Sequence, residues 1–499
     1  MKMGVKDMPF SSRIARLLRS LRELLEPVHV AGAPSAARAL ILLETVRARA
    51  IDARTLVVLC ATDDAAYELA SDLEALSGAL GGETIEPCVL PAWEQSPYTS
   101  VAPSLRTRLA RLGALAALRS AEPPRLVLTT LAGASQATLS PEELARHTLD
   151  LRVEQAVESR ETLVRRLLDS GYQRVDPVED PGTFAVRGDI IDLFPPGRDT
   201  PLRIELFGDV IERIRAFDPA TQRATTGEAA ALREAHVPPA REVLINPRTT
   251  ARVRERLKAR ADDAGVSRAA RDPVLASVAE GVYPDHSDAW APFAYEDACS
   301  FWEHLPPDAR VVWNDELSCL QEWDRFLDEQ KQLSQDIERN AVIAPEPQSL
   351  FRWDQQREAA VRATTRLFLD RIELAELSRI GLEEDEAPKT AEAAAAARTA
   401  ELEAPSTRIH FAVKPNTDLV SGGRHSLGDL EARFQLWKKQ GFRILCVAST
   451  QSQIERIRFL LGERDIASRV GGELQPGLVT LAPGALGEGF RWPAEGLVV

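Results

Sequence analysis

The sequence predicts an α/β fold: a parallel-sheet domain split by a mostly antiparallel α+β insert, then a linker and a second small α/β domain. Three observations carry this. Over the first 150 residues short apolar runs alternate with stretches of helical period, as in a parallel sheet covered on both faces. Near residue 151 the pattern changes to closely spaced β segments. After Pro405 the alternation of strand and helix resumes.

Taken in order, Ser12 to Leu25 places apolar residues at Ile14, Leu17, Leu18, Leu21 and Leu25, a helical spacing. Val28 to Ala31 is a short apolar run, Gly32 to Ser35 a small-residue turn, and Ala36 to about Ala50 a second helix. Leu56–Cys60 and Leu126–Thr130 are further strands, so 1–150 forms the first part of the split domain. In the insert, 151–237, a helix from Glu161 to about Ser170 stops at Gly171. Its β segments are punctuated by Pro181-Gly182, Pro195-Pro196-Gly197 and Gly208-Asp209. Arg203-Ile204-Glu205-Leu206 alternates polar with apolar, as a sheet with one wet face requires. Residues 238–380, mainly helical with a strand at Arg310–Trp313, complete the split domain. Residues 381–404 are an acidic Ala/Glu-rich stretch that cannot bury a core, hence a linker. In 405–499, strands at Arg408–Val413 and Arg443–Ala448 flank a helix around Leu427–Gln440, and Gln451–Leu461 is another helix. The chain stops inside the apolar run Leu497-Val498-Val499, as expected of a fragment.

Composition bounds the function. At 499 residues the chain has room for about three domains. Its 61 basic and 75 acidic residues leave a formal charge of −14, which argues against binding DNA through bulk electrostatics. Five scattered cysteines without a CxxC pair suit a reducing cytoplasm. The seven histidines show no metal-ligand spacing, so no metal site is expected. A signal-type segment and a run long enough to cross a membrane are both missing.

The strand–turn–helix at Val28 to Leu43 sits where a phosphate-binding loop would be. A working loop reads GxxxxGK[ST]: glycines admit the phosphates, the lysine holds them and the hydroxyl binds magnesium. Here the register gives Gly32, Ala37, Arg38 and Ala39. Ala37 adds a methyl group, Arg38 is a bulkier planar cation and Ala39 has no hydroxyl. Val311-Val312-Trp313-Asn314 followed by Asp315 and Glu316 reads as the strand whose carboxylates would hold magnesium. Apolar runs ending in acids are also common at ordinary strand ends. The expectation is a degenerate, inactive P-loop domain of the RecA type, without ATP or magnesium in this chain.

A second group of strings is more specific. Leu90-Pro91-Ala92-Trp93-Glu94-Gln95-Ser96-Pro97-Tyr98 is one; Gly182-Thr183-Phe184-Ala185-Val186-Arg187-Gly188-Asp189, running on to Pro195, is another. Gly171-Tyr172-Gln173-Arg174-Val175-Asp176, Leu202 to Asp209, and Ile214 to Asp218 with Thr221-Gln222-Arg223 complete the set. At these residues the chain resembles the module shared by the excinuclease subunit UvrB and the transcription-repair coupling factor family, over about residues 10 to 350. UvrB keeps an intact phosphate loop and a tyrosine-rich hairpin. This chain has neither, since Pro91 to Thr130 carries no such hairpin beyond Tyr98, so the resemblance favours the coupling factors. The alternative is a UvrB-type helicase subunit that retains ATP and DNA.

That resemblance implies a non-catalytic role: recruiting the damage-recognition protein UvrA, together with self-inhibition in the full-length ATP-dependent translocase. RNA polymerase and double-stranded DNA would be met by domains outside this chain, with ATP and magnesium confined to its motor. By motif, the UvrA contacts fall on Arg174, Arg187 and Arg203, with Phe184 as an apolar anchor. At Ala185 the matching UvrB motif has another arginine. Arginine suits such a face because its planar fork grips carboxylates and stays charged. The competing reading of each arginine is a solvated strand-face charge; Trp93 and Tyr98 are read as packing residues.

Overall fold

A computed structural model of the chain describes residues 12–99, 101–225, 231–284, 286–335, 342–370, 406–416 and 427–499. The expected linker, 381–404, lies outside the described residues. The architecture is α/β, with a parallel first sheet and further mixed sheets.

The chain enters through α1 (Ser12–Glu23), β1 (Val28–Ala31) and α2 (Ser35–Arg47). It continues with β2 (Leu56–Cys60), α3 (Asp63–Leu80), β3 (Cys88–Leu90), α4 (Leu105–Leu118) and β4 (Leu126–Thr130). The first helix stops short of Leu25, which is solvent-exposed.

The insert runs through β5 (Leu149–Arg152), α5 (Arg160–Asp169), β6 (Gln173–Arg174), β7 (Thr183–Arg187) and β8 (Ile190–Phe194). Then follow β9 (Leu202–Phe207), β10 (Val210–Asp218), β11 (Arg223–Ala224), β12 (Ala231–Leu232) and β13 (Glu234–Val237). Strands β7 to β10 pair antiparallel in chain order, with β6 added in parallel at the edge.

On the return come α6 (Thr250–Asp263), α7 (Arg268–Ala279), β14 (Arg310–Asn314), α8 (Glu316–Ser334), α9 (Gln355–Thr364) and β15 (Thr365–Asp370). β15 is a strand that periodicity alone does not reveal. It lies between β1 and β14 inside the first sheet.

The strand expected at Arg408–Val413 is β16 (Arg408–His410), and it joins the first sheet rather than opening the terminal domain. The first sheet thus reads β16-β1-β15-β14-β2-β4-β3. The C-terminal unit holds β17 (Lys414–Pro415), α10 (Leu427–Lys439), β18 (Arg443–Ala448) and α11 (Gln451–Gly462). It closes with β19 (Ser468–Val470), β20 (Val479–Pro483), β21 (Phe490–Trp492) and β22 (Leu497–Val498).

Strand alternation divides the first sheet between two cores. Val57, Leu59, Val127, Val311 and Trp313 face the helices of the return segment. Val58, Leu126, Leu128, Val312 and Leu367 face α1 to α3, in a core that also takes Leu445, Phe490 and Trp492 from the C-terminal unit. Among the described residues no helix is long and apolar enough to cross a membrane.

Candidate functional site

In open parallel sheets ligands bind beyond the carboxyl ends of the strands, so the degenerate loop after β1 is the first place to test. Gly32 takes φ +75°, which only a residue without a side chain adopts freely. Pro34 then starts α2 at once. Ala37, Arg38 and Ala39 therefore lie within the first turns of α2, with Ser35 and Ala36 already helical ahead of them. Ala36, Ala37 and Ala39 are fully buried.

Arg38 is spent inside the protein. Its Nε donates to the Ala33 carbonyl at 2.9 Å and its Nη1 to Asn314 Oδ1 at 2.7 Å. The guanidinium thus spans the gap between the loop after β1 and the end of β14.

The expected carboxylate pair is corrected in its placement. β14 ends at Asn314, and both acids belong to the helix that follows. Asp315 caps α8, accepting from Ser318 N at 3.2 Å. Glu316 pairs with Arg362 at 2.5 Å. As arranged, Gly32, Ala37, Arg38, Ala39, Asp315 and Glu316 offer a magnesium nucleotide no ammonium, no hydroxyl and no unengaged carboxylate.

Beyond β2, the strand next to β14, Asp63 secures the Leu90–Tyr98 string. Its carboxylate accepts from Ala92 N at 3.0 and 3.2 Å. Burial pushes its pKa up to about 6 against the opposing pull of that hydrogen bond and of Arg111. Trp93 and Tyr98 are buried, and the Tyr98 hydroxyl donates to the Pro345 carbonyl at 2.8 Å. Both are packing residues.

The insert offers a different kind of surface. Arg174, on β6, is exposed and unpaired among the described residues. Arg187 ends β7, half-exposed, in contact with Asp176. Arg203 holds Asp192 through two hydrogen bonds of 2.7 and 2.8 Å and stacks over Phe217 at 4.9 Å. The register sets Ala185 beside Asp192 and Asp192 beside Arg203. Alternation therefore puts Ala185, Arg187, Arg203 and Glu205 on one face.

The comparisons point to the same segment. The family described as the UvrB interaction domain matches residues 149–242. A transcription-repair-coupling factor of Myxococcus xanthus is 31% identical over 442 residues, 84% of this chain and 33% of that protein. The chain carries the UvrB-like module of the transcription-repair-coupling factors. A factor of the same name from Mycobacterium bovis is 32% identical over 265 residues, covering 52% of this chain and 20% of its own length. That of Staphylococcus aureus is 26% identical over 379 residues, covering 72% and 29%. The chain thus spans no more than about a third of the coupling factors it matches.

One residue expected at the docking face of this coupling-factor module is corrected. Phe184 is wholly buried in the insert core with Leu193, Ile204 and Leu163. Its neighbours Ala185 and Val186 do not change this, because successive strand residues point to opposite faces and Phe184 faces in. The exposed aromatic on the arginine face is Phe207, at the tip of the β9–β10 hairpin and 80% exposed. The signal was present in Arg203-Ile204-Glu205-Leu206: two residues beyond the wet Glu205, the same alternation puts Phe207 on the wet side.

Proposed function

We propose that this module serves transcription-coupled nucleotide excision repair by docking UvrA on the outer face of its insert, without catalysis of its own. Arg174 and Arg187 supply the charge-assisted contacts, and Phe207 supplies the apolar anchor. A partner carboxylate takes over Arg187 from Asp176, an exchange between exposed groups that costs little. Arg203 stays on Asp192 and stiffens the sheet beneath the contact. The single observation that carries this reading is the coincidence of exposed Arg187 and exposed Phe207 on one face of the segment matched as a UvrB interaction domain, with exposed Arg174 on the edge strand beside them.

Within a full-length factor, we assign ATP-driven translocation on double-stranded DNA and contact with RNA polymerase to parts that this chain does not match. Covering of the same face would keep that factor self-inhibited in the cytoplasm until it is needed. The emptied loop after β1 fits a platform that needs neither ATP nor magnesium.

Isothermal titration with UvrA tests the docking face. The pair Arg174→Glu and Arg187→Glu is expected to abolish binding. Phe207→Ala is expected to weaken it by about thirtyfold, the lower end of the range of an interface hot spot. Circular dichroism of each variant should match the parent. Unchanged affinity in both variants would remove the docking claim.

A further inference from the structure

Residues 408–415 are one short stretch shared by two sheets. β16 pairs in parallel with β1, His29 opposite Arg408 and Ala31 opposite His410. Beyond the strand the chain keeps following the loop: Phe411 N donates to the Ala31 carbonyl at 3.0 Å and Val413 N to the Gly32 carbonyl at 3.1 Å. The His410 ring lies so close that a methyl group on Gly32 would stand 2.7 Å from its Nε2. To make this turn Ala412 adopts φ +49°, a left-handed conformation disfavoured for alanine.

The stretch is held from its far end. β17 pairs antiparallel with β21, and Asn416 N donates to the Gly489 carbonyl at 3.0 Å. The Phe411 ring, fully buried, lies 4.9 Å from Trp492. The C-terminal unit is itself fixed to α3. Gly487 N donates to the buried Asp72 at 2.8 Å, and Ser71 Oγ to the Ala485 carbonyl at 3.0 Å.

We propose that residues 408–413 are a strap that closes the crevice after β1, and that the C-terminal α/β unit exists in part to hold it shut. The strap occupies the carbonyls of Ala31 and Gly32, where the sheet would open towards a ligand. Arg38 spans the remaining side from α2 to Asn314. Nucleotide is therefore excluded by the course of the chain as well as by lost side chains. This rests on the reading of that loop as emptied, and it is independent of UvrA docking.

Two measurements on the full chain decide it. In the variant with Ala37→Gly, Arg38→Lys and Ala39→Thr, which rebuilds the phosphate loop, a fluorescent ATP analogue with magnesium is expected to show no saturable binding. Saturable binding with the strap in place would overturn the proposal. In hydrogen exchange, Phe411→Ala with Val413→Pro should speed exchange of amides 28–37 at least tenfold and leave 149–242 unchanged. Should that variant fail to fold, Ala412→Gly relieves the bend and is expected to slow the same amides. Unchanged exchange at 28–37 in whichever variant is folded sinks the strap. A wild-type chain that fails to bind UvrA would remove the docking reading and leave this one standing.

Discussion

Asp63 shows how one side chain couples burial to pH. Its carboxyl is pushed up to about 6 from an ordinary value near 4. A group raised on folding binds its proton more tightly in the native state, so stability falls as pH rises from about 4 through 6. Asp63→Asn keeps an acceptor for Ala92 N and has no proton to lose. The variant should gain on the parent by about 1 kcal/mol between pH 5 and pH 8. Urea unfolding at the two pH values reads this directly; a constant difference between the proteins would refute it. The same scale separates Phe184 from Phe207. Both are phenylalanines in the strings that carry the family resemblance, yet one is core and the other is surface.

At the scale of elements, the turn Pro195-Pro196-Gly197 does more than end a strand. Gly197 packs against Gly113 in the middle of α4, where a methyl group on Gly113 would stand 2.7 Å from the Gly197 Cα. Here the β8–β9 connection meets the first lobe, opposite the hairpin tip that bears Phe207. In an ordinary helix interior, replacing glycine by alanine stabilises by about 1 kcal/mol. At this position the new atom meets backbone, which cannot rotate away, and overpacking costs about 1–3 kcal/mol. Gly113→Ala should therefore lower the unfolding midpoint. A raised midpoint would show that the contact gives way freely.

For the whole molecule, the insert is fastened by buried charge. Arg111, on α4, is inaccessible to solvent and meets Glu242, just past the insert, at 2.7 Å. Its Nη1 also donates to the Pro91 and Gly133 carbonyls at 2.7 and 3.1 Å. Nearby, Asp288 lies between Arg108 at 3.3 Å and Arg241 at 3.8 Å, and Arg241 stacks on Tyr283 at 4.1 Å. Removing one partner of such a pair strands the other charge away from water, at a cost of about 3–5 kcal/mol. Glu242→Gln is expected to fall in that range by chemical denaturation, with Arg111→Met plus Glu242→Leu recovering most of the loss. A neutral Glu242→Gln would mean that apolar packing alone joins insert and lobe.

Much of this was legible along the chain. The runs at Leu56 and Leu126 are strands because consecutive apolar residues suit a sheet covered on both faces, while those at Val28 and Arg443 are short runs bounded by Pro27 and Gly32 and by Gly441. The stop at Gly171 and the alternation in Arg203–Leu206 follow from backbone freedom and a two-residue period. The helical period, the lost lysine and hydroxyl of the phosphate loop and the acidic balance are likewise properties of neighbours in sequence. Only the fold decided that Thr365–Asp370 sits inside the first sheet between β1 and β14, that β16 crosses to β1, that Arg38 reaches Asn314 and that Arg203 is held by Asp192. Each of these depends on which distant segments come together and in what register. A side chain's period is set by the residues beside it, whereas its exposure and its partner are set by what packs across from it.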